Sequence, residues 1–131
     1  MKVLNLTPHD VTVIGLDCQV TYPASGQQVR MLSEPQVVVD CGLGEVPVVT
    51  AQSWSGVDES VNIDADVTHL LVSMPVGEFL SRSSISNKYW NYTIIGPDTG
   101  PDGAVRDGGG RIVGCRRLVL YTKPRLSELE C

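Results

Sequence analysis

The hydrophobic positions of this chain fall in short runs rather than in one long stretch. The runs are rich in Val, Ile and Thr, and Gly, Pro, Asn or Asp separates each run from the next. Because β-branched residues favour strands and the separating residues favour tight turns, the pattern predicts a mainly β (β-rich α+β) domain of antiparallel strands and hairpins. Strands are predicted at 2–6, 11–16, 19–22, 29–32, 36–40, 46–51 and 68–73.

One segment has helical rather than strand spacing. In SMPVGEFLSRS, Ser73 or Met74 is placed to cap a helix. Pro75 suits a first helical position, and Phe79 gives the following turn an apolar side chain. The sequence therefore predicts one short helix near 75–82.

The β pattern returns in the last third of the chain. Polar and apolar positions alternate through SISNKYWNYTII, which predicts a strand with one buried face. After it, AVRD and RIVGCRRLVLYTK flank a triple glycine, whose tolerance of positive φ predicts a hairpin. We expect residues 1–131 to form a single compact domain, with 124–131 as a tail that frays.

Composition and charge narrow the class of protein. With 131 residues, of which 42% are hydrophobic, the chain is long enough to bury a core without disulfides or a metal. Its net charge of −5 argues against binding to duplex nucleic acid, which draws its affinity from Lys and Arg. The chain shows no signal peptide and no 18-residue apolar stretch, so we expect no membrane association and a cytoplasmic location. Its cysteines lack metal-site spacing, which predicts free thiols at Cys18, Cys41, Cys115 and Cys131.

The glycine-rich run IIGPDTGPDGAVRDGGGRIVG suggests a phosphate loop, but its context does not fit one. A Walker loop needs Gly-Lys-Ser/Thr before a helix, and a dinucleotide loop also leads into a helix, whereas this run leads into a strand. The segment GPDTGPDG contains two successive turns and predicts a stiff surface loop. Asp98 and Thr99 in that loop are candidates for contact with a ribose diol, and a loop with no ligand is the alternative.

Candidate phosphate and base contacts come from the arginines and aromatic residues. Seven of the ten basic residues are arginines, whose forked donors suit phosphate oxygens. Arg30 and Arg106 each follow a turn-rich segment that is able to fold over a ligand. Tyr22 and Trp90 are candidates for stacking on a base, although most aromatic residues are expected in the core.

Catalytic patterns are sparse. His69 lies in an apolar run, where a core histidine is the simpler interpretation, whereas His9 lies in a polar turn. The sequence contains no Gly-x-Ser-x-Gly, His-Glu-x-x-His or paired-carboxylate motif. We therefore predict no catalytic residues, no cofactor and no metal, and we favour a binding protein over an enzyme.

Four segments resemble a known group of small proteins. These segments are NLTPHDVTV, YPASGQQVR, LLVSMPVGEFL and IGPDTGPDGAVRDGGGRIVGCRRLVLY. Their order and spacing are similar to those of proteins that begin Asn-Leu-Thr-Pro-His and are frequent in bacteriophage and bacterial genomes. The resemblance implies a phage-encoded accessory protein acting in the host bacterial cytosol.

Within that setting, we expect an anti-defence sponge, a non-enzymatic and homo-oligomeric protein that sequesters a nucleotide-derived immune signal. The ligand would be a small anionic nucleotide, either an ADP-ribose derivative or a cyclic nucleotide. The alternatives are an enzyme that cleaves or modifies such a nucleotide, using His9 with Asp10, Asp98 or Asp107, and a phage structural or interaction protein. The candidate ligand-binding residues are Asn5, Thr7, His9, Tyr22, Ser25, Arg30, Ser73, Met74, Trp90, Asp98, Thr99 and Arg106.

Overall fold

The structure, a computed structural model, describes residues 2–82 and 88–121, without the side chain of Trp90. Strands dominate these residues, as the hydrophobic pattern predicts. The elements are β1 (Val3–Asn5), β2 (Val11–Ile14), β3 (Gln19–Tyr22), β4 (Met31–Ser33), β5 (Val38–Val39), β6 (Val48–Val49), β7 (Trp54–Val57), β8 (His69–Leu71), α1 (Met74–Arg82), a 3₁₀ helix (Lys88–Asn91), β9 (Thr93–Pro97), β10 (Ala104–Arg106), β11 (Ile112–Cys115) and β12 (Leu118–Leu120).

A four-stranded central sheet has the order β1-β8-β9-β12. β1, β8 and β9 run parallel, and β12 runs antiparallel along β9. The connection from β8 to β9 contains α1, as parallel neighbours require a long crossover. The predicted helix near 75–82 is therefore confirmed, and it links two strands of this sheet.

Both faces of the central sheet are buried, and its strands divide their side chains between two clusters. Leu70 and Ile94 pack in a large cluster with α1, Val57 and Tyr89. The next residue along each strand, Leu71 or Ile95, belongs to a smaller cluster on the opposite face. Successive side chains on a strand point to opposite faces, so two adjacent apolar residues serve two cores.

The second four-stranded sheet has the order β10-β11-β2-β3 and covers the smaller cluster. The hairpin predicted around the triple glycine is confirmed, since β10 and β11 pair antiparallel. Gly110 has a φ of 82°, the left-handed conformation that favours glycine at this turn. Asp107 fixes the turn by accepting hydrogen bonds from the backbone N–H groups of Gly109 and Arg111.

Residues 31–57 form a separate β-hairpin, which we call the arm. At its base β4 pairs with β7, and at its tip β5 pairs with β6. Between these ladders, the N–H of Glu34 donates to the carbonyl of Ser53 and the N–H of Thr50 donates to that of Val37. Hydrogen bonds therefore connect the two strands along the length of the arm.

The prediction of antiparallel strands is wrong for part of the molecule. The pairs β1–β8, β8–β9 and β11–β2 are parallel, because the chain crosses over between these strands instead of turning back. The predicted strand in SISNKYWNYTII is wrong at Lys88–Asn91, which is a 3₁₀ helix, and correct from Thr93, whereas residues 84–87 lie outside the described residues. The sequence pattern also missed the strand Trp54–Val57, and the predicted tail 124–131 lies outside the described residues.

Candidate functional site

A pocket of about 560 Å³ lies at the junction of the two four-stranded sheets. The chain segments that leave β1, β8 and β9 all contribute to it, so it occupies the carboxyl edge of the parallel strands. This edge is the usual place for a ligand in sheets with parallel strands. The residues that line the pocket are Thr7, Pro8, His9, Asp10, Val11, Thr12, Ser73, Met74, Pro75, Pro97, Thr99, Ile112, Val113, Gly114 and Cys115.

The loop after β1 is held in shape by the side chain of Asn5. Its Nδ2 donates to the carbonyls of His9 and Tyr22, at 2.9 and 2.8 Å. Its Oδ1 accepts from the N–H and the hydroxyl of Thr7, at 2.9 and 2.7 Å. Asn5 is 2% exposed and uses both donors and its acceptor oxygen within the protein. Asn5 therefore positions Thr7 and His9, which line the pocket. Asn5 itself is not one of the lining residues.

Tyr22 and Ser25, which are also predicted to bind the ligand, form hydrogen bonds that hold Asn5 in place. The carbonyl of Tyr22 accepts from Asn5. The hydroxyl of Ser25 donates to the carbonyl of Asn5 at 2.6 Å. Neither residue is part of the pocket lining.

The first turn of α1 forms a second side of the pocket. Ser73 accepts a hydrogen bond from the N–H of Gly77, so it begins the helical ladder, and its neighbour Met74 is half exposed. Both line the pocket together with Pro75. The amino end of a helix carries a partial positive charge, which favours an anionic group nearby.

The loop after β9 forms the third side. Asp98 accepts from Nε of Arg117 at 2.7 Å and from the N–H of Gly100 at 3.0 Å. The hydrogen bond from the Arg117 guanidinium and that from Gly100 hold the pKa of the Asp98 carboxyl below its usual value. Both oxygens of Asp98 thus meet protein donors. The residues here that line the pocket are Pro97, the last residue of β9, and Thr99.

The fourth side is an apolar wall from β11 that the sequence analysis missed. Ile112 and Val113 are exposed and Cys115 is buried, and all three line the pocket. Burial raises the pKa of the Cys115 thiol, so the neutral form is favoured there. In the sequence, Ile112 and Val113 follow a turn and have the pattern of an ordinary hairpin strand. No local signal in the sequence indicates which loops meet them in space.

The predicted phosphate-binding arginines lie elsewhere. The side chain of Arg106 donates to the carbonyl of Gly110 at 2.7 Å, within its own hairpin. Arg30 is exposed beside the base of the arm, where its carbonyl accepts from the N–H of Asp58. Within 2–82 and 88–121, neither arginine nor lysine lines the pocket. The predicted contact from Trp90 concerns a side chain outside the described residues.

The structure thus brings together five of the predicted ligand-binding residues, which are Thr7, His9, Ser73, Met74 and Thr99. The whole lining contains four hydroxyl residues, the imidazole of His9 and the carboxylate of Asp10, and the rest of it is largely apolar. In the described part of the chain, no group of three His, Cys, Asp or Glu residues is arranged to hold a metal ion. That part also contains no helix long and apolar enough to cross a membrane.

Comparisons with known proteins add no family to this picture. No protein-family profile, no curated protein and no solved structure matches the chain.

Proposed function

We propose that the protein binds a small nucleotide-derived molecule in the junction pocket without converting it. The observation that supports this proposal is the position of the pocket, at the carboxyl edge of three parallel strands and against the first turn of α1. Its volume of about 560 Å³ is within the usual range for small-molecule sites.

The chemistry of the lining supports a nucleoside-like ligand. The hydroxyl groups of Ser73 and Thr99 suit the hydroxyl groups of a ribose, since each is able to donate and accept. Met74 and Ile112 provide apolar surface for a base. Phosphate charge would be met by the amino end of α1 and by backbone N–H groups, which favours ligands with few phosphates, such as cyclic nucleotides.

The biological role follows from the same proposal combined with the resemblance to phage-borne proteins. A protein that binds a nucleotide signal tightly and does not turn it over would lower the free concentration of that signal. We propose that this sequestration protects a phage from a nucleotide-based bacterial defence.

Binding is tested by thermal unfolding and calorimetry with a panel of cyclic nucleotides, cyclic ADP-ribose and ADP-ribose. A ligand that binds only the folded state raises the unfolding temperature, and mass spectrometry should recover it unchanged after denaturation. Absence of any shift across the panel would contradict the proposal.

A matched pair of variants locates the binding site. Ile112→Asp places a carboxylate in the pocket wall, so it should weaken binding by at least about tenfold. Val20→Asp makes the same kind of change on β3 outside the pocket lining, and it should change the dissociation constant by less than about twofold. Ile112 and Val20 are 47% and 43% exposed, so both variants should fold.

One observation favours an enzyme as the second candidate. His9 and Asp10 line the same pocket, and an imidazole and a carboxylate are both able to move protons. Recovery of an altered nucleotide, with loss of turnover but not of binding in His9→Ala, would support the enzyme over the non-catalytic binder.

A further inference from the structure

Most of the apolar side chains of the arm are exposed to solvent. From residue 32 to residue 55, every side chain except that of Val48 is exposed. Val38, at the tip, is 75% exposed. The arm carries eight exposed large hydrophobic residues, which are Leu32, Val37, Val38, Val39, Leu43, Val46, Val49 and Trp54.

These eight residues lie on both faces of the arm, and together they expose an area comparable to one side of a protein interface. Their exposed fractions correspond to roughly 800 Å², which is the area that one partner contributes to a standard protein interface. A two-stranded hairpin with both faces in water is also marginally stable at best. The arm therefore exposes enough apolar surface for an interface, and a partner that covered this surface would stabilise it.

The edges of the tip show where that partner fits. Val37 accepts a hydrogen bond from the N–H of Thr50, and the register pairs Val38 with Val49. Because inward and outward groups alternate in an antiparallel ladder, the N–H and the carbonyl of Val38 point away from β6. The opposite edge carries Pro47, which has no N–H to donate. The outer edge of β5 is therefore the edge that is able to pair.

We propose that a second copy of this chain covers the arm, with β5 pairing antiparallel to β5 of the partner subunit about a two-fold axis at Val38. Each Val38 would exchange two backbone hydrogen bonds with Val38 of the partner subunit. The result is a four-stranded sheet in the order β6-β5-β5-β6. In it, the outer edge of β5 in each subunit is paired with that of the other subunit.

The side chains are compatible with this register. Val38 and Val49 share one face of the tip, so the pairing joins four valines in a continuous apolar patch. Asp40 lies opposite Gln36 of the partner subunit and not opposite another carboxylate. Although the arm contains no lysine or arginine, its acidic residues therefore do not face one another across the axis.

Sedimentation velocity on the full chain tests the dimer. The wild-type protein should sediment with twice the chain mass of 14.1 kDa at micromolar concentration. Val38→Asp should raise the dissociation constant of the dimer by at least about tenfold, because it places two like charges at the axis. Leu16→Asp, a comparable change at a fully exposed residue outside the arm, should alter it by less than about twofold. A monomeric wild-type protein, or a dimer insensitive to Val38→Asp, would overturn the proposal.

Disulfide trapping tests the register and keeps the tip apolar. In a background with Cys18, Cys41 and Cys131 changed to serine, Val38→Cys places two thiols on directly opposed residues. Their Cα atoms would be about 5.5 Å apart, within the range of a disulfide. Val39→Cys would place its thiols on residues about 8 Å apart, which is too far. Mild oxidation should link Val38→Cys and leave Val39→Cys unlinked, and the reverse result would exclude this register.

Discussion

At the scale of single residues, the side chain of Asn5 has a structural role beside the pocket. One buried amide makes four hydrogen bonds that join the end of β1, the loop with Thr7 and His9, and β3. Asn5 is one of the candidate ligand-binding residues predicted from the sequence. A single sequence does not distinguish an amide that touches a ligand from one that shapes the loop around it.

We predict that Asn5→Ala destabilises the protein by about 2–4 kcal/mol, because it leaves two part-buried hydrogen bonds to carbonyls and the buried one from the N–H of Thr7 unmade. Chemical denaturation of the two proteins measures the difference. Asn62→Ala is the matched control, since Asn62 is exposed and only its backbone is seen to bond to Gln27. It should change the free energy of unfolding by less than about 0.5 kcal/mol. An equal effect of the two substitutions would contradict the supporting role of Asn5.

At the scale of elements, α1 approaches the central sheet closely because glycines stand at the contact. A Cβ on Gly96, in β9, would lie 2.6 Å from the carbonyl oxygen of Val72 and 2.9 Å from the ring of Tyr121. A Cβ on Gly77, in α1, would also collide with that ring. Gly77 weakens an isolated helix, and here it allows Tyr121 to fit between the helix and the strand.

We predict that Gly96→Ala costs about 2–3 kcal/mol of stability, since the backbone of Val72 cannot move aside as a flexible side chain would. Gly56→Ala, also within a strand, is the control because nothing lies within 4 Å of its new Cβ. This substitution should leave the free energy of unfolding unchanged or raise it by up to about 1 kcal/mol. Thermal or urea unfolding of both variants measures these values, and a neutral Gly96→Ala would show that the sheet relaxes around the methyl group.

Elements could be predicted where their signal is local. The helix follows from Pro75 and its neighbours, and the hairpin follows from the triple glycine. The parallel order of the central sheet could not be predicted, because it depends on which distant strands become neighbours. The prediction failed at residues 88–91 for another reason. Tyr89 and Tyr92 fit an alternating strand pattern, but the N–H of Tyr92 donates to the carbonyl of Tyr89, which closes a helical turn. The pocket wall at Ile112 and Val113 was missed because it forms only when the two sheets meet.

At the scale of the whole molecule, the smaller cluster joins the two sheets. Cys115 in β11 packs with Val11 of the same sheet and with Leu71 of the central sheet, and it is 1% exposed. Its thiol donates a long hydrogen bond to the carbonyl of Thr12, at 3.7 Å. Although Cys115 borders the pocket, it is buried, so a reagent reaches its thiol only when the structure opens, whereas Cys18 and Cys41 are already exposed.

We predict that N-ethylmaleimide labels Cys18 and Cys41 rapidly in the native protein and labels Cys115 only through unfolding. In a Cys131→Ser background, followed by peptide mass spectrometry, the labelling rate of Cys115 should rise with urea in proportion to the unfolded fraction. The rates at Cys18 and Cys41 should change little over the same range. If Cys115 were labelled at the rate of Cys18, the sheets would open locally at the pocket and the small cluster would not hold them together. Because the raised pKa of Cys115 also slows its reaction in the folded state, the comparison is made at several pH values, and protection by burial should persist at each of them.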